Sequence, residues 1–172
     1  MENPMRKIRI EKVTLNVGGG SDQEKVEKGL KLIALITGKK PIKTITQERI
    51  PAWSIRPGLP VGCKITLRKA DAVSVLKRIL QARDNKLEPR NFDDKGNLNF
   101  GMTEYIYIPG IKYDPAIGVM GFEVTATLER PGYRIKRRKL LGKKMVGKKH
   151  RVTRNDALDY MKKEFGVEVL EE

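Results

Sequence analysis

The sequence holds one cysteine and one histidine among its 172 residues. A lone cysteine excludes an intramolecular disulfide and points to a reducing compartment. With a single His beside it, a closed zinc site built from Cys and His is excluded as well. Long apolar runs are also missing. The longest, near Leu32–Ile36, is about five residues, against roughly 20 for a membrane span. Met1-Glu2-Asn3-Pro4 opens the chain without an apolar segment, so no secretory signal is expected. Nor does any nucleophile stand beside a base, and His150 has only Lys149 and Arg151 as neighbours, with no carboxylate to orient it. These absences predict a soluble, cytoplasmic, non-catalytic protein without cofactor or metal.

Acids are scarce in one region only. From Arg130 to Arg154 the chain carries 12 of its 36 Lys and Arg residues and none of its 21 acids. The remaining 24 basic residues nearly balance those acids, so most of the +15 net charge resides in this tract. So concentrated a charge repels itself unless an anion screens it. The reading is a basic arm or loop at about 130–154 on a nearly neutral body, with nucleic acid as the first partner and an anionic membrane surface as the second.

What is present reads as one α+β domain over 1–172 with a mainly antiparallel sheet. Ile8–Val17, Val61–Arg68 and Gly121–Leu128 alternate apolar and polar residues with the period of a half-buried strand. Ile42–Thr46 and Thr103–Ile108 read as further strands. Ser21–Glu24 reads as a capping box opening a helix to about Thr37, which Gly38 ends. Asp71–Arg83 is a second amphipathic helix, and Thr153 caps a third that stops at Gly166. Helices packed on the apolar face of the sheet would leave its other face open. That face carries Asn16, Lys64, Thr66 and Arg68, either as a platform for nucleic acid or as an ordinary wet surface.

Three other constellations carry weight. Arg134, Lys136, Arg137, Arg138, Lys139, Lys143, Lys144, Lys148, Lys149 and Arg151 suit phosphate neutralisation, with the rings of Tyr133 and His150 among them. Gly18-Gly19-Gly20 joins a strand to a helix, which is either a tight turn or an anion site at the helix N-terminus. It lacks the Gly-Lys-Ser/Thr of a Walker loop and the third glycine of a dinucleotide fingerprint, so a nucleotide-using enzyme is a weak rival. The loop at about 47–60 contains Pro51, Pro57, Gly58 and Pro60, and loops of that length are commonly functional. Its Trp53, flanked by Arg49 and Arg56, is either a stacking platform or, the favoured reading, a plug that anchors the loop. Cys63 falls on the inward phase of its strand.

Several segments, in order along nearly the whole chain, resemble one family. They are Asn3-Pro4-Met5, Leu15–Gly18, Thr37–Pro41, Arg56–Gly62, Lys64–Arg68, Ile108–Asp114 and Gly118–Gly121. Together they resemble the universal L-five family of large-subunit ribosomal proteins, and Arg130–Arg134 and Gly147–Arg151 are similar to its archaeal and eukaryotic branch. The resemblance implies a protein that binds 5S rRNA and anchors it in the central protuberance. It also implies contacts with large-subunit rRNA and neighbouring proteins, a bridge to a small-subunit head protein, and a P-site tRNA contact through the long loop. On matching positions the 5S rRNA contacts fall on Asn16, Thr66 and the turn of Thr37, Lys39 and Lys40. Lys39 stands where bacterial members usually carry Gln, which implies a charge contact there. Gly18, Lys64 and Arg68 on the sheet, and Arg134, Arg137, Arg138, Lys148, Lys149 and Arg151 in the tract, complete the expected rRNA-binding set. Arg49, Trp53 and Arg56 are the expected tRNA contacts.

Overall fold

The computed structural model describes residues 3–139, 142 and 144–170. Lys143, one of the tract's cations, lies outside the described residues. Five antiparallel strands form the main sheet: β1 (Arg9–Gly18), β2 (Ile42–Ile45), β3 (Pro60–Leu67), β5 (Leu98–Met102) and β6 (Phe122–Glu129), in the order β2-β3-β1-β6-β5. Strand alternation decides which face is buried. Val13, Leu15, Val17, Cys63, Ile65, Leu67, Val124, Ala126 and Leu128 all point inward and are buried.

Helices α1 (Gln23–Thr37) and α2 (Lys69–Gln81) cover that apolar face, α1 against β3 and β1 and α2 against β1. A glycine lets α1 come close, since a Cβ on Gly29 would lie 2.9 Å from the Cys63 sulfur and from a Val17 methyl. The helix α4 (Arg154–Phe165) buries Ala157 and Met161 in the same core. Beside it, a short parallel pair forms between β4 (Lys86–Leu87) and β7 (Glu168–Val169). That pair has too few residues to show a period in sequence.

Two local expectations are corrected. Asp22, not Ser21, caps α1, its carboxylate accepting from the Glu24 and Lys25 N–H groups at 3.0 and 3.3 Å. Gly38 ends the helix in the left-handed region as expected, at φ 66°. The second correction concerns Thr103–Ile108, which is not a strand. Tyr105 and Ile108 are buried while Ile106 and Tyr107 between them are exposed. That is the three-residue spacing of the 3-10 turn at Tyr105–Tyr107, not a strand's period of two. The Tyr105 hydroxyl accepts from the Asp114 N–H at 3.0 Å and closes the loop. The true strand lies just before it, where Leu98, Phe100 and Met102 are buried and Asn99 and Gly101 are exposed.

Candidate nucleic-acid interface

The sheet's second face is built by the same alternation. One cross-strand row runs Ile42, Lys64, Asn16, Glu123 and Gly101, and the next runs Thr66, Thr14, Thr125 and Asn99. Both helices on β1 and β3 lie on the opposite side, so Lys64 and Thr66 are exposed and Asn16 half-buried. The Asn16 amide donates to the Glu123 carboxylate at 3.2 Å, which orients its carbonyl on an otherwise open surface.

At the β3 edge, the face and the turn after α1 meet. Lys39, Lys40, Ile42, Lys64, Ile65 and Thr66 line one shallow depression of about 310 Å³. Four expected rRNA contacts from two separate segments are thus brought together. Lys39 is ion-paired to Asp71 at the start of α2. Thr37 has a different part, its hydroxyl donating to the Ile33 carbonyl at 2.7 Å and so finishing the helix. Ile42 on the edge strand is 67% exposed, an apolar contact that its position in a weak four-residue strand gave no reason to expect.

Gly18 lies at the exposed end of β1, but the turn that follows does not offer free donors. The N–H groups of Gly19 and Gly20 both donate to the Val61 carbonyl, at 2.9 and 3.1 Å. The Asp22 carboxylate occupies the N-terminus of α1, and a carboxylate there repels a phosphate where it would otherwise sit. The turn is a tight connection between strand and helix.

The loop after β2 extends the β2–β3 hairpin. The Thr46 N–H donates to the Leu59 carbonyl at 3.0 Å, and Ile50 and Ile55 exchange two hydrogen bonds. A 3-10 turn, Pro51–Trp53, and a left-handed Ser54 at φ 54° form the tip. Trp53 is 66% exposed, so it is not the plug; the buried Ile55 is. The indole therefore stands free at the tip with exposed Arg49 and Arg56.

The basic tract carries local structure in its described residues. It contains a short helix, α3 (Arg134–Arg137), and a 3-10 turn at Lys148–His150. Tyr133 and His150, the two rings among these cations, clasp its two ends. The Tyr133 hydroxyl donates to the His150 carbonyl at 3.2 Å and accepts from the Val152 N–H at 3.0 Å, and a His150 ring nitrogen lies 2.9 Å from the Pro131 carbonyl. Arg130 pairs with Asp156 at 3.0 Å, tying the tract to the start of α4. Arg134, Lys148, Lys149 and Arg151 are exposed, although the Arg151 Nε donates to the Val146 carbonyl at 3.0 Å. Arg138 is half-buried and donates to the Gly142 carbonyl at 3.1 Å. Arg137 is committed differently: it pairs with Glu11 and, at 2.8 Å, with Glu129. Arg68 reaches Glu11 at 3.4 Å and Arg9 reaches Glu129 at 2.8 Å. This acid–arginine group was not visible in the sequence, where Glu11 and Glu129 look like ordinary charges at the two ends of strands.

Fold and face together define an α+β protein with a sheet covered on one side and a polar, cation-edged surface on the other. Family models agree: one described as Ribosomal protein L5 matches residues 3–56, and the model of that ribosomal family's C-terminus matches residues 60–160. Curated relatives named "Large ribosomal subunit protein uL5" are similar along the full length. That of Nanoarchaeum equitans is 48% identical over 99% of this chain and 100% of its own, and that of Nitrosopumilus maritimus 45% over 98% and 96%. That of Sulfolobus acidocaldarius is 42% identical over 99% and 95%. The chain belongs to the L5 family of ribosomal proteins; it is a structural protein, not an enzyme. Among the described residues no helix is long and apolar enough to cross a membrane.

Proposed function

We propose that the chain is a structural protein of the large ribosomal subunit that binds 5S rRNA through its open sheet face and anchors it in the central protuberance. The convergence of Lys39, Lys40, Lys64 and Thr66 on one depression carries this reading. Two cationic segments meeting beside a hydroxyl row give phosphate contacts for position and polar contacts for RNA shape. Asn16, Thr66, Lys64 and the Lys39–Lys40 turn are the 5S rRNA contacts. The tract cations Arg134, Arg138, Lys148, Lys149 and Arg151 serve large-subunit rRNA. At the loop tip, the free Trp53 between exposed Arg49 and Arg56 supports the P-site tRNA contact, since an exposed indole with flanking guanidinium groups stacks on bases and neutralises phosphate. The bridge to the small-subunit head rests on family membership alone.

The test is binding of the full chain to 5S rRNA and to an unrelated structured RNA of equal length. Asn16→Ala and Thr66→Ala should each weaken 5S rRNA binding about fivefold, the worth of one hydrogen bond near 1 kcal/mol, with unfolding midpoints nearly unchanged. Lowered midpoints with intact binding, or equal affinity of the wild type for both RNAs, would contradict the reading.

A further inference from the structure

A β-bulge places a carboxylate where strand periodicity forbids it. Glu11 has the odd-numbered phase of Val13 and Leu15, which point into the core. Between Ile10 and Lys12, however, the register of β1 on β6 slips: Ile10 faces Leu128 and Lys12 faces Thr127. The extra residue turns Glu11 onto the open face, beside Arg9 and Lys12. A bulge re-aims a side chain in this way and bends the strand that carries it.

Glu11 there shares Arg137 with Glu129, and three arginines from three segments converge on the two acids. Arg137 of α3 bridges both carboxylates, its second nitrogen 2.8 Å from Glu129. Arg9 gives its Nε and one terminal nitrogen to a single Glu129 oxygen, at 3.1 and 2.8 Å. Arg68, past the end of β3, donates to Glu11 at 3.4 Å. The acids are sheltered, with side-chain exposures of 14% for Glu11 and 5% for Glu129, whereas Arg9, Arg68 and Arg137 remain 60, 53 and 48% exposed. The anions therefore lie beneath and the guanidinium groups above. Each guanidinium has five N–H donors, and the acids use only part of that supply. Three like charges do not gather unaided, and two sheltered carboxylates are what hold them within reach of one another.

We propose that Arg9, Arg68 and Arg137 form a single RNA-phosphate site on the open face, and that Glu11 and Glu129 are its positioning residues. This rests on the RNA-binding reading of that face and extends it to a site at the opposite end of β1 from Asn16. It also fixes the role of the tract's first helix: α3 is docked on the sheet before RNA arrives, contributing Arg137 to a site shared with β1 and β3.

The consequence runs against simple electrostatics. Removing an acid from a phosphate-binding surface adds positive charge and should tighten binding. Here it should weaken binding, because the arginines lose the group that converges them. In the full chain, Glu11→Gln should lower affinity for whichever RNA the wild type binds by about five- to tenfold, the scale of one well-placed charge-assisted contact, while the slope of log affinity against log salt is not reduced. Arg9→Lys and Arg68→Lys are surface changes that keep the charge and lose the planar fork. Each should weaken binding several-fold, and together they test the site even if Glu11→Gln does not fold. Unchanged or tighter binding by Glu11→Gln, or full-strength binding by both lysine variants, overturns the inference. Loss of preference for 5S rRNA over the unrelated RNA would instead overturn the identity of the partner, and a wild type that binds neither RNA overturns both.

Discussion

Cys63 lies at the middle of β3 with no exposed surface, against Gly29 of α1. Burial raises its thiol from 9.0 to about 11, because the thiolate would lose its water without gaining a partner. Below pH 9.0 folded and unfolded thiols are both protonated and stability is unaffected. Between pH 9.0 and about 11 the unfolded thiol ionises first, so stability falls as pH rises through that window, by on the order of 2 kcal/mol. Urea unfolding of wild type and Cys63→Ala at pH 8 and pH 10.5 should show the wild type losing more stability between the two than the variant. Parallel losses would mean that the thiol ionises without cost in the folded state. Asn16 and Thr66 belong to the same scale in another sense. They are diagonal neighbours on one face of the β1–β3 ladder, two register positions apart, Asn16 facing Lys64 and Thr14 facing Thr66.

At the level of elements, α1 depends on the Asp22 cap. Asp22→Ala should cost about 1 kcal/mol, seen as a melting temperature lower by roughly 2–4 °C for a chain of this size. It should not create nucleotide binding, since the Gly19 and Gly20 donors stay engaged with Val61. An unchanged midpoint would shift the capping role back to Ser21. The long elements are readable in the residues because burial leaves a period: β1, β3, β6, α1, α2 and α4 each pair one buried face with one wet one. That periodicity also reveals the open face, which is simply the polar half of the same alternation. It fails where the chain is short or the polar residues are mixed in. In β5 the small Gly101 and a preceding turn shorten the pattern, while the denser apolar run at Tyr105–Ile108 attracts the strand assignment. Trp53 is beyond its reach for a different reason, since the direction of a loop side chain depends on the left-handed Ser54 next to it. Glu11 is further still from legibility, because its face is set by a register slip against β6 that no local pattern records.

Across the molecule, charge and shape are divided between two regions. The body is close to neutral and supplies a half-covered sheet; the tract from Arg130 to Arg154 supplies most of the net +15. The Tyr133–His150 clasp joins the two ends of the tract, and the Arg130–Asp156 pair and the docking of Arg137 tie them to the body, which lowers the ordering that binding requires at those residues. The remaining exposed cations are then available to displace counterions from RNA together. Titration of 5S rRNA with the full chain at increasing salt measures this directly. With six or more phosphates engaged, log affinity should fall against log salt with a slope of about −4 or steeper. A nearly flat dependence would contradict the claim that cations of the tract and the sheet edge grip the RNA.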